Sequence, residues 1–228
     1  MLLMIAVISA GMPVFTQKTG LSQKYGFAMK MLCAGLYLLT GLLAATAFKT
    51  GTLYTFLILT ALLCGALGDF FLSYKQEKYF LSGVAFFALG HGVYSIAFLT
   101  AGEYKAIHHI IPVSVFAVLM ALLLFVFAKT KLKLGKLQMP LLVYGAILFF
   151  FFAGSVTKGV VAATAGNLPF GLILIAGALL FIASDLMLGV QIGGVKLPKL
   201  LHHAVSYTYF PAQTLFALSI FFQSLMKG

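Results

Sequence analysis

Apolar segments recur along the whole of this 228-residue chain, each near the ~20 residues a helix needs to cross a bilayer core. Eight are expected, at about 2–16, 31–48, 52–73, 79–100, 107–128, 139–157, 168–188 and 204–225. The first is short, and the sixth can run on toward Ala165, so seven is the competing count. Nothing between them is long enough for a soluble domain. The expected fold is therefore all-α, a polytopic transmembrane helical bundle forming one integral membrane domain over 1–228. A composition of 62% hydrophobic and 8% charged residues excludes the soluble classes.

All fifteen basic residues are lysines. With eight crossings, Lys18, Lys24, Lys30, Lys75, Lys78, Lys129, Lys131, Lys133, Lys136, Lys196 and Lys199 share one side, and Lys49, Lys105, Lys158 and Lys227 the other. Positive charge retained in short cytoplasmic loops accounts for this bias and puts both termini outside. The expected setting is a bacterial inner membrane. The net charge of +11 then reflects orientation, and no nucleic-acid partner is expected. The N-terminal run has no basic region before it and no cleavage pattern, so it reads as a retained helix. Cys33 and Cys64 lie inside spans without CxxC spacing, which argues for packing rather than redox or metal chemistry.

Within "LLCGALGDFFLS" (62–73), Asp69 stands in an otherwise apolar span. An intramembrane carboxylate is costly and marks a functional site by default. Asp185 repeats the pattern 116 residues later, in "LFIASDLMLG" (180–189), again with a small residue before it and a leucine three after. This suggests a weak four-plus-four parallel repeat, since an even number of crossings restores direction. Both aspartates are expected within about five residues of the inner, cytoplasmic end, at matching depth and sharing a site. A local pairing of either with Lys75 or Lys78 is the plainer alternative.

Helical spacing groups Gly65, Asp69 and Ser73 on one face, and Gly177, Phe181, Asp185 and Gly189 on another. In the fourth span His91 shares a face with Tyr94 and Ser95. The last span opens with "LHHAVSYTYFPAQ" (201–213), which carries His202, His203, Ser206, Tyr207 and Tyr209, and Pro211, a residue that can free backbone groups. Tyr207 follows Asp185 by 22 residues, the offset of His91 from Asp69. The candidates are Asp69 and Asp185 as catalytic groups, with His91, Tyr94, Ser73, His203 and Tyr207 as supporting or substrate-binding groups. No metal and no cofactor are expected: the adjacent His202 and His203 project in different directions, and His108 and His109 belong to the other side. Neither a GxSxG turn nor a Walker-type loop is present.

At these residues the sequence resembles the YhhN family of membrane proteins, which includes the lysoplasmalogenases. The resemblance rests on "GDFFL" (68–72), "FLSGVAFFALGHGVYSIAF" (80–98) and "GALLFIASDLMLG" (177–189), in that order. It implies hydrolysis of the vinyl ether bond of a lysophospholipid substrate, giving a fatty aldehyde and a glycerophospho-head group, with Asp69 and Asp185 at the matching positions. The residues suit that chemistry. Such a bond opens by protonation of the alkene carbon to an oxocarbenium-like ion that water captures, which calls for one acid and one base or charge stabiliser, and two carboxylates in a low-dielectric site can divide those roles. A proton-coupled small-molecule or lipid transporter is the alternative, because paired intramembrane carboxylates and a repeat suit it equally. A lipid-binding protein without turnover is the third.

Overall fold

Backbone N–H and C=O groups find no water in hydrocarbon, so a chain this apolar must satisfy them internally, and helices do so. A computed structural model describes residues 1–48, 52–74, 76–100, 107–129, 135–194 and 198–225. It contains helices α1 (Leu2–Lys18), α2 (Leu21–Lys24), α3 (Gly26–Ala47), α4 (Leu53–Leu72), α5 (Glu77–Thr100), α6 (Ile107–Lys129), α7 (Gln138–Thr164), α8 (Leu168–Ile192) and α9 (Lys199–Ser224), with a short 3₁₀ turn at Gly135–Leu137. Each of the eight expected spans is a helix. Many hydroxyls inside them bond back to their own turns, as Thr40 does to Leu36 O at 2.8 Å and Thr60 to Phe56 O at 2.9 Å, and these need no partner elsewhere.

Among the described residues six helices, α3 to α8, are long and apolar enough to cross a membrane. With the composition, they define an integral membrane protein. α1 is shorter. α9 is long but carries Tyr209, Gln213, Thr214 and Ser219, all buried against neighbours.

The helices α3, α4, α5, α7, α8 and α9 form a closed ring in which each packs on the next, and α4 also meets α9 across it. α1 lies outside against α3 and α9, and α6 lies outside against α7. The core is aromatic. Tyr94 packs on Phe216 at 4.9 Å between ring centroids, Phe216 on Phe151 at 5.5 Å, and Phe151 on Phe181 at 5.7 Å, in the tilted and edge-on arrangements that aromatic quadrupoles favour.

Helix bounds correct the expected topology in two places. α7 continues to Thr164, so Lys158 is a buried helical residue and not a loop lysine. α3 begins five residues before its expected start, which puts Lys30 in its second turn. Lys49, Lys75, Lys105, Lys131, Lys133, Lys196 and Lys227 lie outside the described residues.

Glycines set how closely α7 and α8 approach. A Cβ on Gly171 would overlap the carbonyl oxygen of Gly159 and come within 2.8 Å of Ala163 Cβ, whereas one on Gly154 would meet nothing within 4 Å. Gly171→Ala should therefore lower the unfolding midpoint in detergent, by an overpacking cost of about 1–3 kcal/mol. Gly154→Ala should leave the midpoint unchanged or raise it. Equal midpoints for the two variants would remove this contact as a determinant of α7–α8 packing.

Candidate active site

Asp69 is the third residue before the end of α4 and is 2% exposed. Its Oδ1 lies 3.1 Å from Lys30 Nζ of α3, and its Oδ2 accepts a 2.8 Å hydrogen bond from Tyr209 of α9. The Gln213 amide donates to the Tyr209 hydroxyl at 3.1 Å, and the Tyr94 hydroxyl donates to Gln213 Oε1 at 2.7 Å. A relay thus runs Lys30, Asp69, Tyr209, Gln213, Tyr94, from the start of α3 into the bundle. Gly65, one turn before Asp69, makes it possible: a Cβ there would collide with the Gln213 amide and crowd the hydroxyls of Tyr209 and Tyr37.

Asp185 has different company. Its Oδ2 accepts a short hydrogen bond from the Tyr144 hydroxyl of α7, and His91 Nε2 of α5 stands 3.9 Å from the same oxygen. The imidazole is 1% exposed and wedged among Tyr144, Phe151 and Phe181, at 4.7–5.6 Å between ring centroids. Neither of its nitrogens meets a hydrogen-bond partner at normal geometry among the described residues. The rings of Phe87 and Phe181 lie 5.7 and 5.4 Å from that of Tyr209; Phe181 also packs on His91, and Phe87 lines a cavity together with Asp185.

The two partner sets follow one plan. In each half the carboxylate comes from the third long helix and is met by a side chain of the second long helix of its own half, Lys30 or Tyr144. It also faces a side chain of the fourth long helix of the other half, Tyr209 or His91. The distances of the two aspartates from their helix ends differ more than expected. Asp69 lies three residues and Asp185 seven from the helix end, because α8 extends to Ile192. Along the helix axes that is a difference of about 6 Å.

Of the supporting candidates, His91 is beside Asp185 and Tyr94 is joined to Asp69 through Gln213 and Tyr209. Ser73 does not reach the Asp69 carboxylate; its hydroxyl donates to the Asp69 backbone carbonyl at 2.8 Å, an ordinary helical back-bond. Tyr207 and His203 pack on each other at 6.5 Å, and the residue that α9 presents to Asp69 is Tyr209, two positions beyond Tyr207. Helix α9 stays continuous through Pro211. The pairing of Asp69 with Lys78 does not occur, since Lys78 lies over the ring of Tyr79 at 4.9 Å, and Lys75 is outside the described residues. His202 lies in α9, but its side chain is outside them too.

One cavity is lined by Asp185 and another by Lys30. The first, of about 320 Å³, is lined almost wholly by apolar side chains of α5, α6, α7 and α8, including Val84, Phe87, Leu123 and Leu148, and its polar side chains are Tyr144 and Asp185. The other, about 120 Å³, lies between α1, α3 and α9 and is lined by Thr16, Gln17, Lys30 and Ser206 among others. Asp185 therefore faces space fit for hydrocarbon, and Lys30, the partner of Asp69, faces a smaller, more polar one. Sequence reasoning missed Lys30, Tyr144, Tyr209 and Gln213 as partners. The 22-residue offset was a usable signal for the last span, off by half a turn.

An all-helical membrane bundle with one buried and one partly buried carboxylate, each tied to neighbouring helices and the second facing an apolar cavity, defines a polytopic membrane protein with an interior polar site. The chain belongs to the YhhN family, whose pattern matches residues 27–220. The matched region starts in α3 and ends in α9, so it contains both aspartates and the partners described for them. No curated protein and no solved structure matches the chain.

Proposed function

We propose that the protein is a lysoplasmalogenase-type hydrolase, which cleaves the vinyl ether bond of a lysophospholipid to a fatty aldehyde and a glycerophospho-head group. The observation that carries this reading is the apolar cavity whose polar side chains are Asp185 and Tyr144. A single hydrocarbon chain suits such a space, and a carboxylic acid is the group its enol ether needs. Membership of the YhhN family, with which this activity is associated, supports the same reading.

In this mechanism protonated Asp185 gives its proton to the alkene carbon distal to the ether oxygen. The carbon bonded to oxygen becomes an oxocarbenium ion. Water adds to that carbon while the Asp185 carboxylate takes up a water proton, which restores the acid and leaves a hemiacetal. The hemiacetal hydroxyl proton passes to the ether oxygen as the C–O bond breaks, releasing aldehyde and glycerol hydroxyl. One water is consumed. Tyr144 orients the carboxyl group, and His91 stands where it can steady the Asp185 charge. Asp69 does not line this cavity; with Lys30 and Tyr209 it is a positioning group whose field acts on the cation. The lysine bias supports an orientation with both termini outside and the aspartates toward the cytoplasmic face, in a bacterial inner membrane.

Release of fatty aldehyde from a defined lysoplasmalogen by the purified protein in detergent tests the reading. Aldehyde in proportion to enzyme is expected, and none from folded protein would remove this substrate. One observation favours a second reading, a proton-coupled transporter: the relay from Lys30 to Tyr94 lies along α9 like a path for protons. In that case proton-driven uptake into vesicles would be found where aldehyde release is not.

A further inference from the structure

The two outer helices do not close on the ring in the same way. α1 packs on both α3 and α9 and is fastened to α9 by a 2.8 Å bond between the Ser9 and Thr214 hydroxyls. By position in its half, α6 is the counterpart of α1, α7 of α3, and α5 of α9. Among the described residues α6 packs on α7 and not on α5. The cavity of about 320 Å³ that is lined by Asp185 and Tyr144 occupies that gap, with Val84 and Phe87 of α5 and Leu123 and Val126 of α6 in its walls. Where the outer helix closes, the equivalent cleft is smaller and mixed in character; where it stands off, the space is wider and almost wholly apolar.

Helix α6 is also the least embedded span, with 6% of its apolar stretch buried, and it exposes Val118, Leu122 and Phe125 by 68%, 56% and 59%. Both α5 and α6 are long and apolar enough to cross a membrane, so the medium outside their gap is acyl chain. A water-soluble ligand would have to leave water to reach the gap. A chain already in the bilayer exchanges one apolar surrounding for another. At Gly145, next to Tyr144, a Cβ would come within 2.8 Å of Leu123 Cδ2, so this glycine lets α6 seat closely on α7 beside the cavity.

We propose that the α5–α6 gap is a side portal through which the hydrocarbon chain of a single-chain membrane amphiphile passes from the bilayer to Asp185, with α6 as the door carried on α7. The portal rests on reading the Asp185 cavity as the substrate's, and it adds the route and the phase from which the substrate comes. The test uses full-length protein in lipid vesicles, with Cys33→Ala and Cys64→Ala removing the native thiols and Val84→Cys with Val126→Cys placing one thiol on each side of the gap. A short, reducible bis-thiosulfonate bridges these before a diazirine-bearing alkyl-ether lysophospholipid is added, whose saturated ether the enol-ether chemistry does not cleave. After illumination, peptides of α7 and α8 that line the cavity should carry label in the unbridged protein, lose it when bridged and regain it on reduction. Equal labelling with the bridge in place, or no cavity labelling in either form, would overturn the portal. A protein that takes up the label through the gap yet releases no aldehyde from a lysoplasmalogen would keep the portal and lose the hydrolase reading.

Discussion

Asp185→Asn should leave the bundle folded yet slow aldehyde release from a lysoplasmalogen by about 10²–10⁴-fold, the range general acid catalysis commonly supplies. The substituted amide keeps the shape of the carboxyl group and an oxygen to accept from Tyr144, so helix packing should survive. What is lost is the proton that the alkene carbon must receive. The fall should appear in kcat with KM little changed, because the apolar walls that hold the chain are untouched. Wild-type kcat in a folded Asp185→Asn protein would dismiss Asp185 as the acid and leave no proton donor of comparable strength lining the cavity.

Lys30→Met should be the most destabilising charge change in the molecule, and far more so than Asp69→Asn. Losing Lys30 leaves a carboxylate that is 2% exposed with Tyr209 as its remaining donor. Losing the Asp69 charge leaves a lysine that keeps 29% of its side-chain surface and a flexible stem with which to reach the interface. Breaking a fully buried ion pair costs about 3–5 kcal/mol, and the partial exposure of Lys30 brings the expected loss below that range. Unfolding midpoints in detergent for both single variants and for Lys30→Met with Asp69→Asn decide the matter. The double variant should recover much of what Lys30→Met loses. Equal losses from the two single changes, summing in the double, would mean the pair does not hold α3 to α4.

How much of this was legible depended on what kind of signal each feature leaves. Spans left a strong one, because a run of apolar residues of fixed length is nearly the only thing hydrocarbon tolerates. Asp69 and Asp185 were conspicuous for the same reason, as was the face shared by Gly65 and Asp69. Lys30 was read as a loop residue, since a lysine near the end of an apolar run looks the same whether it is solvated or tucked one turn inside a helix. Lys158 was misread in the same way. Tyr144 sits among leucines, valines and phenylalanines with nothing in its spacing to single it out; only the fold brings it to Asp185. Tyr209 was overlooked in favour of Tyr207 because an offset counted along the chain fixes a residue only to the nearest half turn. The gap beside α6 had no sequence signal, being a property of what that helix does not touch.

The polar face of α9 bears on how the molecule is made. Tyr209 bonds Asp69, Gln213 bonds Tyr94, Thr214 bonds Ser9 and Ser219 bonds Tyr54, so that one helix supplies partners to α1, α4 and α5, and Asn167 at the head of α8 binds its backbone at Phe222. It also comes after every one of those helices along the chain. Until it arrives, the earlier helices hold an aspartate, two tyrosines and a serine without these partners, and α9 is itself less apolar than the helices it joins. These contacts therefore form together: a chain in which α9 (Lys199–Ser224) has not yet docked carries open polar sockets on α1, α4 and α5, and α9 closes them in one step.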